Sequence, residues 1–235
     1  MSVAIFPGAG SAGIAWEPTA RRIDATIVVA PAGDDVVEMA AVLGDGIEAM
    51  PRPRILVGSS MGALIAIEIA RQVSIDGLVL VAAGFGIPVA QATLDWIASE
   101  PPGLVEKMAA SVLADGEDSP HLATVVADFE TRGPDVMLQH MTALARHDPS
   151  ELSKPPPTMV LYGMRDRAVR LEGAVELAQR LRGYFVPIRT GGHVPYLDAQ
   201  TETVRWISDA IWRFATSPRL GRRGPSGRQR SDRPH

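Results

Sequence analysis

Short apolar runs alternate along the chain with segments whose apolar residues recur at helical spacing. Six runs, at residues 3–6 (VAIF), 26–30 (TIVVA), 54–57 (RILV), 77–82 (GLVLVA), 158–162 (TMVLY) and 184–188 (YFVPI), are rich in β-branched or aliphatic residues and lack strict polar–apolar alternation. That pattern predicts strands buried on both faces, as in a parallel sheet. Between them, 35–50, 171–181 and 201–214 carry apolar positions at helical spacing, and 61–72 (MGALIAIEIARQ) is apolar almost all round, as suits a helix packed on a sheet. Strand–helix–strand alternation implies an α/β fold with right-handed crossovers.

The alternation stops between the fourth and fifth runs. Four helix-like segments, roughly 88–99, 102–114, 120–131 and 135–147, follow one another with no strand between them. Ser119-Pro120 reads as an N-cap and first helical residue, and Gly133-Pro134 as a restart. The stretch is too long for a loop. Residues 87–152 are therefore predicted to form a helical insertion, with 1–86 and 153–216 as the core. Its apolar positions are Trp96, Leu104, Met108, Leu113, Phe129, Met137, Leu138, Met141 and Leu144. Most should pack the insertion on the sheet, and its methionines suit a deformable apolar pocket.

Composition bounds the chemistry. The chain has 235 residues, 46% hydrophobic and 21% charged, which suits one domain carrying an insertion. Cysteine is absent, which excludes disulfides and Cys-based zinc or redox sites and fits a cytoplasmic setting. No stretch reaches the roughly 18–20 apolar residues of a membrane span, and the start reads as a buried strand rather than a signal peptide. Net charge is −4, but residues 217–235 hold six Arg and one Asp, leaving 17 basic against 26 acidic residues for 1–216. This Pro/Gly/Ser/Arg-rich tail is predicted to be disordered. It has no aromatic residue to stack on bases, so no nucleic-acid partner is expected.

Candidate chemistry begins at Gly58-Ser59-Ser60-Met61-Gly62. G-x-S-x-G is a weak pattern alone, but here it leaves an apolar strand and enters a strong helix. A nucleophile elbow needs that setting: a sharp turn with serine at its tip and glycines that let strand and helix approach. The Met61 N–H, at the helix start, is free to bind an oxyanion. Serine needs a base. His121, His140 and His147 fall on the insertion, where surface or cap positions are expected, and His235 lies in the tail. His193, in Thr190-Gly191-Gly192-His193-Val194-Pro195, follows the last strand and can reach a serine at the same sheet edge. Asp166, in Tyr162-Gly163-Met164-Arg165-Asp166, follows the fifth strand and can orient that base. The histidines lack metal-ligand spacing, so no metal site is expected.

With Ser60, Asp166 and His193 in that order, each after a predicted parallel strand, the sequence resembles the α/β-hydrolase superfamily over about residues 3–214. GSSMG, YGMRD and GGHVP match the family's nucleophile, acid and histidine positions. The resemblance implies a mostly parallel sheet that starts at family strand three, with a helical cap between strands six and seven. It also implies Ala9 as the second oxyanion donor, in Pro7-Gly8-Ala9-Gly10. There Pro7 replaces the usual His, and Trp16 stands where relatives often have Trp. A further family stretch is shortened to Ala30-Pro31-Ala32-Gly33-Asp34-Asp35. The reading is a serine hydrolase for a small to medium, mostly apolar ester, lactone or thioester. The pocket is expected to include Gly8, Gly10, Trp96, Met108, Met137, Met141 and Val194.

The resemblance also admits cofactor-free carbon–carbon hydrolysis, lyase and peroxidase chemistry. Gly8-Ala9-Gly10-Ser11-Ala12-Gly13 spells G-x-G-x-x-G as well, the pattern of a dinucleotide-binding turn. Against that oxidoreductase reading, Pro18 falls where the phosphate-binding helix should be in its second turn, and the three candidate residues are left without a role. A ligand-binding module without turnover is the remaining class, and an ordered Ser, Asp and His set argues against it. No cofactor is expected.

Overall fold

The computed structural model describes residues 1–216. The basic tail expected at 217–235 lies outside the described residues. Six strands form one sheet among these residues: β1 (Ser2–Phe6), β2 (Thr26–Ile27), β3 (Arg54–Ser59), β4 (Gly77–Val81), β5 (Thr158–Gly163) and β6 (Tyr184–Ile188). Their order is β2-β1-β3-β4-β5-β6, and every neighbouring pair is parallel. The chain runs outward from β1 to β2, then returns past β1 and continues the other way from β3. That reversal opens a crevice at the C-terminal ends of β1 and β3, where open α/β sheets bind ligands.

Alternate strand residues face opposite sides. Val3, Ile5, Ile55, Val57, Val79 and Val81 join one apolar cluster with α1 (Glu17–Ile23) and α10 (Gln200–Thr216). Ala4, Phe6, Leu56, Leu78, Leu80 and Val160 join another with α2 (Val36–Ala49), α3 (Met61–Gln72) and α8 (Leu171–Arg180). Both faces are covered, which is why the strands read as continuous apolar runs. Asp35 caps α2 by accepting from the N–H groups of Val37 and Glu38. Pro187 interrupts β6, but β6 is an edge strand, where a missing N–H is tolerated.

Four helices, α4 (Gln91–Ala98), α5 (Leu104–Val112), α6 (Leu122–Glu130) and α7 (Gly133–Arg146), separate β4 from β5. Their apolar residues are continuous with the sheet's clusters: Ile97, Leu104, Val125, Phe129 and Met137 on one side, Ala143 and Leu144 on the other. The remaining helix, α9 (Pro195–Asp198), is a single turn.

Three local expectations are corrected. β2 covers two residues rather than 26–30: Val28 N–H still donates to Ile5 O, but beyond it the chain leaves the sheet, with Ala30 O accepting from Arg132 and Pro31 O from His140. Ser119 lies one turn ahead of α6, whose N-cap position is His121; Ser119 Oγ accepts from the His121 N–H at 3.2 Å. Pro18 stands in the first turn of α1, after a 3-10 turn at Ile14–Trp16, where proline is well tolerated. No helix among the described residues is long and apolar enough to cross a membrane.

Candidate active site

Ser60 sits at the tip of the β3–α3 turn with φ 53° and ψ −120°, a strained conformation for a residue with a side chain. The surroundings over-determine it. Its N–H donates to Val81 O (2.9 Å), and its carbonyl accepts from Ala63 N–H (3.0 Å). Gly58 and Gly62 are enforced by main chain. A Cβ on Gly58 would stand 2.4 Å from Gly62 O, and one on Gly62 would stand 2.0 Å from Phe6 O. Two glycines therefore let α3 cross directly over β3 and β1, and the serine is what remains at the corner.

His193 and Asp166 meet at the same sheet edge. His193 Nδ1–H donates to Asp166 Oδ2 at 2.9 Å, and the Asp166 side chain is fully buried. Asp166 Oδ1 accepts from Ala168 N–H (2.8 Å) and Val169 N–H (3.0 Å). One carboxylate thus caps its own turn and fixes the imidazole, leaving Nε2 available. The two loops are laced through main chain: Met164 N–H to Ile188 O and Arg165 N–H to Gly191 O, each 2.9 Å. Gly163 makes this possible, since a Cβ there would meet Gly192 O at 2.1 Å. The arginines flanking Asp166 point away from it. Arg165 reaches Ala114 O and Asp115, and Arg167 reaches Leu113 O.

The histidine loop is also tied to the end of α5. His193 N–H donates to Val112 O (3.0 Å), and Asp198 Oδ2 accepts from Gly192 N–H (2.9 Å) and Ala114 N–H (3.1 Å). Burial holds the Asp198 carboxyl above its ordinary range, against the pull of those two N–H groups.

Gly8 lies beside the serine: a Cβ on it would be 3.4 Å from Ser60 Cβ and 3.9 Å from Ser60 Oγ. The rest of this loop is gripped by the insertion. Gly10 N–H donates to His140 Nδ1 (3.0 Å), whose Nε2–H donates to Pro31 O (2.8 Å). Ala12 and Ile14 N–H both donate to Asp128 Oδ1 (2.9 Å), and Ser11 Oγ–H donates to Asp128 Oδ2 (2.6 Å). This answers the dinucleotide reading. N–H groups that would cradle a pyrophosphate are occupied by a carboxylate of the same chain, and no phosphate-binding helix starts at the glycines.

Ser60, His193, Gly8 and Ala9 line one cavity of about 360 Å³ with Met108, Met137, Met141 and Val194. No hydrogen bond joins Ser60 Oγ to His193 Nε2 among the described residues, and free enzymes often close this contact only around substrate. Two expected pocket residues are elsewhere. Gly10 is screened by Met137, whose Cε would be 2.3 Å from a Cβ there. Trp96 packs on the apolar cluster instead of facing the cavity, because α4 turns that position inward.

Sequence reasoning missed Asp128, His140 and Tyr196. His140, expected near the surface, is fully buried, and the His147 side chain is nearly so, paired with Glu68. Burial, reinforced by the Arg132 charge, holds the His140 pKa below its ordinary value, so Nδ1 keeps its lone pair. Signals for two of them were present. Asp128 is the lone charge inside the apolar run 122–129, and His140 shares the stripe of Met137, Met141 and Leu144. Tyr196 stacks on Trp16 with ring centroids 3.8 Å apart, and burial, then the Asp128 charge, raises its pKa.

Comparison with known proteins agrees with this fold. A model of the alpha/beta hydrolase family matches residues 6–206. The chain belongs to the α/β-hydrolase family. Among solved structures, an esterase from Thermogutta terrifontis superposes with a TM-score of 0.77 at 18% identity, covering 92% of this chain and 91% of that one. The enol-lactonase from Burkholderia xenovorans gives 0.75 at 16%, covering 90% and 91%. The type II thioesterase BorB of the borrelidin biosynthetic cluster gives 0.67 at 18%, covering 89% and 92%. At these identities they show a shared fold. No curated protein matched.

Proposed function

We propose that this hydrolase is a serine enzyme that cleaves a small to medium, mostly apolar ester, lactone or thioester through an acyl-enzyme. One observation carries the reading: a strained Ser60 and a histidine held by a buried aspartate line the same cavity. Under this reading His193 Nε2 takes the Ser60 proton as Oγ attacks the substrate carbonyl, and Asp166 holds the imidazole in the required tautomer. Met61 N–H, at the start of α3, and Ala9 N–H receive the oxyanion. His193 then protonates the leaving group, and water, activated by the same histidine, cleaves the acyl-enzyme.

The cavity wall supports the substrate class. Ile87, Val89, Met108, Val125, Phe129 and Leu144 supply apolar surface, and no Lys or Arg is among the lining residues. A neutral acyl group fits such a wall, and the methionines can repack around acyl groups of different shape. In this role residues 87–152 act as a cap over the serine.

The test is labelling with a fluorophosphonate, followed by turnover on a panel of short esters, thioesters and lactones. An adduct on Ser60, absent in Ser60→Ala, together with loss of turnover in that variant is the expected result. Full turnover by Ser60→Ala would refute the assignment.

A further inference from the structure

The loop after β1 has little means of holding its own shape. Gly10 and Gly13 adopt positive φ (68° and 91°), conformations that glycine tolerates but does not fix. Pro7 has no N–H and no polar side chain where a loop of this kind needs an anchor. Yet every backbone N–H from Gly10 to Ile14 has a partner. Gly10 donates to His140, Ser11 to Gly8 O, Gly13 to Ser11 Oγ, and Ala12 and Ile14 to Asp128. The loop's other two N–H groups, those of Gly8 and Ala9, have no partner among the described residues, and both residues lie on the cavity beside Ser60. A donor aimed at developing negative charge must be left free and held still.

We propose that Asp128 and His140 are positioning residues, through which the helical insertion sets the oxyanion loop and leaves the Ala9 N–H free on the cavity. The inference rests on the serine-hydrolase reading above. Neither residue needs to touch the reacting atoms. Asp128 Oδ1 holds two N–H groups, and Oδ2 holds the Ser11 hydroxyl, which in turn accepts from Gly13. His140 spans the gap between this loop and Pro31, so it fixes the loop against the segment after β2. Its tautomer is set by that geometry: Nδ1 must accept and Nε2 must donate. Burial keeps it neutral, which preserves the acceptor. The loop's partners lie 114–130 residues away in sequence, so the loop's shape depends on the insertion being docked.

Two rescue pairs test this on the full chain. His140→Leu removes both bonds, whereas His140→Asn places an amide oxygen near the Nδ1 position. Asp128→Leu strands three donors, whereas Asp128→Asn keeps one oxygen for the two N–H groups and lets the Ser11 hydroxyl rotate. The readouts are kcat and KM on a short activated ester, and affinity for phenylboronic acid, whose tetrahedral serine adduct places an oxygen in the oxyanion site. The Leu variants should lose about 10- to 100-fold in kcat and a comparable factor in boronate affinity, with KM within about twofold. The His140→Asn and Asp128→Asn partners should recover most of it. If a Leu variant does not fold, Ser11→Ala, which deletes one hydroxyl, should show the same kcat and boronate loss on a smaller scale. Folded variants with unchanged kcat, or a kcat loss that spares boronate affinity, would overturn the proposal. Fluorophosphonate labelling of the wild type separates the two layers. Absence of a Ser60 adduct overturns the hydrolase reading and this inference with it. An adduct combined with unaffected variants overturns the inference alone.

Discussion

Two loops flank Ser60, and they are held in different ways. On the β5–β6 side, main chain packs on main chain. Gly163 lies against Gly191 and Gly192, and Met164 and Arg165 donate to carbonyls of the β6 strand and its loop. On the β1 side, the loop is held by two insertion side chains, Asp128 and His140. The first arrangement is built mainly on the sheet edge and its glycines, with further ties from the end of α5 such as Val112 O to His193 N–H. The second exists only when a segment more than 110 residues away is in place. Main-chain packing holds the His193 loop, whereas side-chain anchoring makes the proposed oxyanion loop depend on the insertion.

The largest effect on this comparison should come from Asp166→Asn. Asn can keep its oxygen on the Ala168 and Val169 N–H groups, but its NH₂ then faces His193 Nδ1. Nδ1 must accept, the proton moves to Nε2, and the base can no longer take a proton from serine. Turnover should fall about 10⁴-fold with little loss of fold, measured as kcat beside a thermal melt. Retained turnover would show that the pair is structural only. Gly163→Ala comes next. The added Cβ would stand 2.1 Å from Gly192 O and 2.5 Å from Gly191 O, and backbone cannot yield as a flexible side chain does. Urea unfolding should show a loss on the order of 3–4 kcal/mol. A near-neutral result would mean the two loops separate easily and the contrast fails.

The two loops also differ in how far the sequence exposes them. Strands, elbow, acid and histidine are legible because each depends on local signals: an apolar run, a glycine pair, a polar residue at a strand end. Gly58, Gly62 and Gly163 meet only backbone, so their presence in the motif reports the geometry directly. The anchors of the β1 loop are not local. Asp128 and His140 can be noticed as polar residues on apolar helix faces, but nothing in the sequence says which distant loop they grip. The same blindness explains Trp96 and Gly10. Helical spacing places a residue on a face, but docking decides whether that face meets the cavity. It bears on the short β2 too, since the donors to Ala30 O and Pro31 O, Arg132 and His140, come from the N-cap and body of the distant α7.

The β1 side should answer to pH where the β5–β6 contacts of main chain do not. The His140 pKa is lowered by burial and by Arg132, so the folded protein resists the proton that the unfolded chain takes up near its ordinary value of 6.5. Stability from this group is complete above 6.5 and is lost as pH falls from there through the depressed folded value. The slope approaches about 1.4 kcal/mol per pH unit between the two pKa values. Glu68, also lowered, adds its own loss below 4.5. Urea titrations at pH 7.5 and 5.5 should show a smaller difference for His140→Asn than for the wild type. Equal differences would mean that His140 is not the buried neutral group described.

The smallest effect should come from Arg165→Ala, which probes the ion pair between the acid loop and the insertion. Arg165 Nη2 donates to Asp115 Oδ1 (2.6 Å) and to Ala114 O (3.0 Å), so on contact geometry alone it resembles the anchors of the other loop. Its setting is different. The Arg165 and Asp115 side chains are 48% and 55% exposed, where water and salt screen the pair and ordering a long side chain offsets much of the attraction. Removal should cost less than about 1 kcal/mol, and part of that should vanish in high salt. Turnover should change by no more than about twofold. The reason is that the backbone bonds Arg165 N–H to Gly191 O and Asp166 N–H to Gly163 O survive the substitution and still hold Asp166 against His193. Should Arg165→Ala instead lower kcat as far as His140→Leu, the acid loop would prove as dependent on the insertion as the oxyanion loop. The distinction between a main-chain-built and a side-chain-built wall of this site would then be lost.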